Sequence, residues 1–412
     1  MSNFKLSEDW TAALLGLAVI LLMTPAAGVP SYGWGDLSSK VFSSPSLTAI
    51  LKQLGLVVML TGFASYGSGK NVLSSLKVVT VLFIMAQLAL FTAGNAWIKS
   101  YNLEPVIFSL LLGLLISHAI KIPDTWRTAL SSEWYIKVGL VLLGATVIFS
   151  DILKAGSLGL IQAVIVVFSV WYVCYWICQK LKLDDELTFM LSSAVSICGV
   201  SAAIATAGAI KGDPKKLSYV ISLVLITAIP MMIGMPYLAQ YMRLSQEVTG
   251  AWLGGTIDTT GAVAAAGTIA GETALKMSTI VKFSQNVLLG VAAFVISVYW
   301  TYSKKNSQQT EKPTIALIWD RFPKFLLGFI GASLLFSFAL STEAVASIKD
   351  PLKSIQTLFF VMGFSAIGLE TKFSDIFNAS NQKPLVAFLM AQGINILITL
   401  GVALLLFGKS VS

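Results

Sequence analysis

The feature that most narrows the fold is a rhythm. Apolar runs of about 17–25 residues return along the whole chain, each long enough to cross the roughly 30 Å hydrocarbon core of a bilayer as a helix. The expected fold class is therefore an all-α polytopic membrane protein. Composition agrees, since 56% of the 412 residues are hydrophobic and 12% are charged, with a mean hydropathy of +0.81. Counting runs against bilayer thickness predicts about 11–13 transmembrane helices.

The net charge of +8 does not signal a nucleic-acid partner, because the Lys and Arg are scattered through short loops instead of forming a patch. Loop cations orient a chain in a bilayer. With the amino terminus in the cytoplasm, the inside gaps collect Lys70, Lys77, Lys121, Arg127, Lys180, Lys182, Arg243, Lys304, Lys305, Lys312, Arg321, Lys324, Lys372 and Lys383, and the opposite side holds fewer. That arrangement favours a cytoplasmic amino terminus and a carboxyl terminus on the other side. The first run, Trp10 to Val29, ends in the small residues Thr24-Pro25-Ala26-Ala27-Gly28, as a signal peptide does, and is read as a retained span. Cys174, Cys178 and Cys198 all fall inside predicted spans and imply no disulfide framework.

Four stretches organise the chain: 1–76 with extra amino-terminal helices, 77–302 with the most unusual segments, a hydrophilic loop at 303–322, and helices over 323–412. An internal echo suggests an inverted repeat. LVLLGATVIFSDILKAG (140–156) resembles FFVMGFSAIGLETKFSDIFNAS (359–380), with Gly144 aligned to Gly363, and the helix count gives the two opposite orientations. Two runs, 187–210 and 251–270, are so rich in Gly, Ala, Ser and Thr that they are expected to be broken helices.

Asp258 is the sharpest signal. AWLGGTIDTTGAVAAAGTIAG carries no other ionisable group for about a dozen residues on either side, and a carboxylate at membrane depth costs on the order of 3 kcal/mol, so it faces a cavity or a partner. A structural reading stands beside this one: Asp258, followed by Thr259 and Thr260, could simply cap a helix after the Gly254-Gly255 break. A helix that starts at membrane depth presents unpaired, partly positive N–H groups that suit an anion. The same logic applies to Ser196, Cys198, Gly199 and Ser201, although stripes at Ser196, Val200 and Ile204 or at Gly199, Ala203 and Ala207 also fit a small-residue packing face. Lys282 either snorkels to the interface or points inward as a counter-ion. For Lys137 snorkelling is the expectation, and for Glu370 and Asp375 a solvated helix end. Cys174 and Cys178, one turn apart, are weak grounds for a metal.

Absences narrow the function further. His118 is the single histidine, which excludes an HExxH protease and other multi-histidine metal sites. There is no Walker A sequence for a self-contained ATP-driven pump, and no Ser/Lys or paired-Asp pattern for an intramembrane protease. No enzyme activity, cofactor or nucleic acid is expected. A secondary transporter leads, and a channel follows.

At SICGVSAAIA (196–205), preceded by IKVGLVLLGA (136–145) and followed by GGTIDTTGAVAAAG (254–267), ALKMSTIVK (274–282) and FFVMGFSAIGLET (359–371), the chain resembles the YeiH-type sulfate exporter family. The resemblance covers roughly residues 77–407. It implies a bacterial inner-membrane, multi-pass transporter of sulfur-containing anions, related to cation antiporters and bile-acid symporters. In that group a core domain moves against a scaffold domain, two discontinuous helices cross at mid-membrane, and a homodimer is a known arrangement. Where the family often has His, Arg and Arg, this chain has Asp258, Thr146 and Gln285. Backbone amides would then hold the anion, and Asp258 would bind Na⁺ or a proton.

The reading is thus a secondary active transporter of a small, sulfate-like anion. Ser196, Cys198, Gly199, Ser201, Thr259, Thr260 and Gly261 contact the solute, Asp258 couples its movement to Na⁺ or H⁺, and Lys282 is an electrostatic partner. The alternatives are a cation/proton antiporter centred on Asp258 and a passive anion channel.

Overall fold

The computed structural model describes residues 6–23, 28–34, 44–100, 103–120, 122–303, 315–371 and 382–408. Among these, regular structure is helical, apart from an isolated bridge between Trp34 and Asn95. Eight helices are long and apolar enough to cross a membrane, and three shorter apolar helices accompany them. The chain is an all-α polytopic membrane protein, as the apolar rhythm requires.

Two compact units emerge, Met1–Ser150 with Lys324–Thr371, and Asp151–Pro323 with Lys372–Ser412. The first opens with α1 (Glu8–Leu22), α2 (Ser44–Gly67), α3 (Val72–Ala93), the short α4 (Ala96–Ser100), α5 (Pro105–Ala119), α6 (Asp124–Leu130) and α7 (Ser132–Gly144). Helix α8 (Phe149–Lys180) leads into the second, which continues with α9 (Asp185–Ser193), a wide π turn over Ala194–Cys198, and α10 (Gly199–Ile210). There follow α11 (Pro214–Tyr241), α12 (Gln246–Thr256), α13 (Thr260–Ala270), α14 (Glu272–Ser303) and α15 (Ala316–Arg321). The first unit then gains α16 (Phe325–Leu334) and α17 (Thr342–Glu370), and α18 (Lys383–Phe407) completes the second.

In the first unit α7 is the buried centre, packed by α1, α16 and α17. Helices α5 and α17 touch through glycines: a Cβ on Gly113 would lie 2.5 Å from the Ser365 carbonyl oxygen and 2.8 Å from Gly368 Cα, the close backbone approach that small residues permit. Two charged residues behave differently from the sequence expectation. Lys137 does not snorkel free, because its ammonium is 2.9 Å from Asp9 and 3.0 Å from Glu133. Glu370 is not a solvated helix end either: its carboxylate accepts from the Ser132 hydroxyl at 2.6 Å and the Ser132 N–H at 3.3 Å, satisfying the start of α7. Asp375 lies outside the described residues, as does the second Ser-Asp-Ile of the internal echo.

The second unit holds both unusual segments, and both turn back on themselves. A straight helix over 185–210 would be about 39 Å long. Instead, its two ends meet. The Lys216 ammonium lies 2.8 Å from Asp184 and 3.1 Å from Glu186, and the Asp213 N–H donates to Glu186 at 3.2 Å. Helices α9 and α10 therefore form a re-entrant hairpin with its tip at 194–199. Gly199, at φ +37° and ψ −108°, supplies the reversal in a backbone region that a side chain disfavours. Helices α12 and α13 form the second hairpin, with its tip at 256–259. At its base, Gln246 Oε1 accepts from the Thr273 N–H at 3.1 Å. The register along α14 fixes the reversal: Gly250 sits against Ala274 and Met277, and Gly267 returns to Leu275 and Ser278.

The 28 residues of α11, about 42 Å of helix, run from the base of the first hairpin to the base of the second. The hairpins consequently enter from opposite ends of α11 and meet in its middle. Helix α14 then returns along both: Glu272 starts beside the second base, and Phe189 of the first hairpin packs its ring on Tyr299 and Trp300 at 5.7 and 5.4 Å. Each hairpin is followed by one long helix, and α11 and α14 run in opposite directions. This is an inverted pair in the second unit, located differently from the echo at 140–156 and 359–380. The discontinuous segments break where small residues predicted, but they fold back as hairpins instead of crossing through. Lys211, Lys215 and Lys216 lie on the same end as Lys180 and Lys182, whereas Arg243, grouped with the latter by the helix count, is at the other end of α11.

Candidate functional site

The two tips meet. A Cβ on Gly199 would lie 3.1 Å from Asp258 Cβ and 3.3 Å from the Asp258 carbonyl oxygen, and Cys198 Sγ is 4.0 Å from Thr260 Oγ1. Each tip leaves two kinds of helix end at depth. The entering half-helix offers carbonyls at its negative end, and the leaving half-helix offers N–H groups at its positive end.

The carbonyls are answered by side chains from α14 and α18. Lys282 donates to the Ile197 carbonyl at 2.8 Å and to Gln285 Oε1 at 3.0 Å. Gln285 donates to the Gly255 carbonyl at 2.9 Å. Asn395 spans both tips, donating to the Val195 and Thr256 carbonyls, each at 3.2 Å, and Gln392 donates to the same Thr256 carbonyl at 3.1 Å. From α8, Gln162 reaches the Ala251 carbonyl at 2.7 Å. Buried polar groups in an apolar medium need such partners, and Asn395 is itself held by Thr399 Oγ1 at 2.8 Å.

The N–H ends differ from each other. Thr259 caps α13 by accepting from the Ala262 N–H at 3.2 Å, so the cap predicted for this turn is Thr259 and not Asp258. No side chain caps α10. Gly199 at its start is buried, the next residues Val200 and Ser201 are half-buried, and so are Thr259, Thr260 and Gly261 of the other tip.

Asp258 and Lys282 lie deeper, each 1% exposed. Lys282 points inward, which resolves the two readings its position allowed. Both Asp258 carboxylate oxygens lack a hydrogen-bond partner among the described residues, and no ion pair within 4 Å joins Asp258 to Lys282 among them. Ser196 is also buried, its hydroxyl donating to the Ser192 carbonyl at 2.7 Å. Gly199 is packed on Val224, and Ala203 and Ala207 join Val220, Leu223 and Val224 in one apolar cluster. The packing stripe read from the sequence is thus real on the Gly199 side, while Ile204 of the other stripe is 42% exposed.

All nine residues singled out from the sequence lie on the two tips or the helix behind them. The four carboxamides Gln285, Asn286, Gln392 and Asn395 were not singled out as site residues. Their signal was available, because amides buried in runs at 284–302 and 384–407 need partners.

The family described as Conserved hypothetical protein 698 matches residues 77–388. A UPF0324 membrane protein of Rhodopirellula baltica is 41% identical over 373 residues, covering 88% of this chain and 69% of its own length. One of Nitratidesulfovibrio vulgaris is 36% identical over 341 residues and covers 79% of this chain, which spans only 58% of that relative. One of Nitrosomonas europaea is 27% identical, with 91% and 90% covered. No solved structure matches. The match spans both hairpins and α14, and the chain belongs to this family of UPF0324 membrane proteins, the YeiH-type family its motifs resemble.

Proposed function

We propose that this protein is a secondary active transporter that moves a small, sulfate-like anion by alternating access, with the solute held between the two hairpin tips. The observation that carries this reading is the meeting of two oppositely directed re-entrant hairpins at depth, with α10 uncapped at the junction and a buried carboxylate, Asp258, beside it. Irregular backbone at membrane depth persists where it lines a cavity or is buried in protein, and helix ends meeting at mid-membrane are how transporters hold charged solutes. Ser201, Thr259, Thr260, Gly261 and Cys198 are the solute contacts in this reading. Ser196 and Gly199 shape the tip, Asp258 couples transport to a cation, and Lys282 supplies positive charge.

The end of the second unit that collects Lys180, Lys182, Lys211, Lys215 and Lys216 faces the cytoplasm in this reading, by the excess of basic residues on the inside of bacterial inner membranes. A second reading, a cation/proton antiporter centred on Asp258, is favoured by the unpartnered carboxylate oxygens. The test is flux in liposomes containing the purified chain, with labelled sulfate and small organic sulfonates as probes. Saturable uptake driven by a Na⁺ or pH gradient supports anion transport. Cation exchange with no anion moved supports the antiporter, and linear flux indifferent to gradients rejects both.

A further inference from the structure

The carbonyls of the tips have donors, but a second group of oxygens has none. Thr256 Oγ1, both carboxylate oxygens of Asp258, Asn286 Oδ1 and Gln392 Oε1 are all buried without a hydrogen-bond partner among the described residues. These residues are each at most 4% exposed. They belong to one place. The Gln392 amide nitrogen is tied to the Thr256 carbonyl and the Asn286 amide nitrogen to Thr260 Oγ1 at 3.1 Å, so the two amides flank Asp258 on either side along the chain. Each carbonyl oxygen is one amide group's width from its pinned nitrogen.

Five buried acceptor atoms around one tip are costly together, since each orphan forfeits about 1–3 kcal/mol. A proton on Asp258 supplies a single donor and leaves most of them unanswered. A cation answers them all. The donor set also sets the class of cation. Oxygen ligands select hard ions over soft ones, and a single carboxylate among neutral oxygens matches one positive charge. Among the described residues no group of three or more His, Cys, Asp or Glu could hold a multivalent metal. Lys282 does not compete, because its ammonium is committed to Ile197 and Gln285.

We infer that Thr256, Asp258, Asn286 and Gln392 form a binding site for a hard, monovalent metal cation, with Na⁺ as its first probe, and that this ion is the coupling ion of the transport reading above, on which its role in transport rests. Its occupation neutralises Asp258 and leaves the Lys282 charge available to the anion.

The test uses the purified full chain in detergent and reads its thermal unfolding midpoint. NaCl is titrated at constant ionic strength against N-methylglucamine chloride, with LiCl and KCl as further arms. A cation that binds the folded state raises the midpoint saturably. The informative variant is Thr256→Val, which removes one unpartnered hydroxyl and nothing else, so its ion-free stability should match or exceed the wild type. We expect its half-saturating Na⁺ concentration to rise at least tenfold, and Asp258→Asn to abolish the shift.

No difference between Na⁺, Li⁺, K⁺ and N-methylglucamine in the wild type overturns the site. So does an unaltered Na⁺ shift in Asp258→Asn. Liposome flux separates this from the transport reading. Sodium binding with no solute movement keeps the site and removes the transporter, whereas flux driven by pH and indifferent to Na⁺ keeps the transporter and removes the coupling role of the ion.

Discussion

Replacing Gly199 by alanine tests the tip geometry most directly, because two separable costs meet there. The first is conformational: φ +37° with ψ −108° is a region that side-chain-bearing residues rarely occupy, at a cost of about 1–3 kcal/mol. The second is steric. The new Cβ would stand 2.6 Å from Val224 Cγ1, with Asp258 Cβ and the Asp258 carbonyl oxygen at 3.1 and 3.3 Å. Valine is stiff at χ1 and sits in a fully buried cluster, so it cannot swing aside, and overpacking of this kind costs about 1–3 kcal/mol.

The single variant should therefore lose roughly 2–6 kcal/mol. Adding Val224→Ala removes the clashing carbon but leaves φ unchanged. The double variant should then be more stable than the sum of the singles by about 1–2 kcal/mol, an interaction of the size that contacting residues show, and should still fall short of Val224→Ala alone. Equilibrium unfolding in mixed micelles measures all four corners of this cycle. An additive cycle, or a Gly199→Ala variant of native stability, would refute the reversal at Gly199 on which the first hairpin rests.

Three further predictions follow from the same unit. Cysteines placed at Glu186 and Asp213 in a background free of Cys174, Cys178 and Cys198 should cross-link readily, since these residues share a hydrogen bond at 3.2 Å; a helix that crossed the membrane would hold them about 40 Å apart and give no product. Lys282→Met strands the Ile197 carbonyl and Gln285 Oε1, and should cost about 2–4 kcal/mol, with Lys282→Arg recovering part of that in the same unfolding assay. Asn395→Leu removes donors to both tips at once and should destabilise more than Gln392→Leu, which leaves the Thr256 carbonyl one remaining donor, Asn395.

Much of this was legible in residue types. The lengths of the apolar runs gave the class, the Gly, Ala, Ser and Thr content of 187–210 and 251–270 located both breaks, and the isolation of Asp258 marked the junction. Their reversal was harder to read, because a run of 24 residues is long enough to span and the contacts that close the first hairpin join Asp184 and Glu186 to residues about 30 positions away. A cue did exist. Lys180 and Lys182 precede the segment and Lys211, Lys215 and Lys216 follow it, and basic residues at both ends of one run fit a segment that returns to its own side better than one that crosses. The fate of Lys282 and Lys137 was hidden for a different reason. Snorkelling is the default for a long cationic chain, and the carbonyl of Ile197 for Lys282, or the carboxylate of Asp9 joining that of Glu133 one turn away for Lys137, is brought in from elsewhere in the fold to reverse it.

The two proposals combine into a statement about coupling. With Asp258 ionised and Lys282 charged, the junction is neutral and offers an anion little beyond the amide dipoles of α10 and α13. A bound cation raises the net charge by one, next to the uncapped end of α10 and in a medium where charge is weakly screened. Anion affinity must then rise with cation occupancy, and by linkage the anion must raise cation affinity by the same factor. A coupling of 1–3 kcal/mol, typical of interacting sites, corresponds to about 5–150-fold. Calorimetric titration of Na⁺ with and without saturating sulfate, and of sulfate with and without saturating Na⁺, reads the factor twice. Equal factors above fivefold are expected, and in Asp258→Asn, where the site no longer carries a compensating charge, sulfate affinity should be high and independent of Na⁺. A variant whose sulfate affinity still climbs with Na⁺ would mean that the cation acts elsewhere in the molecule.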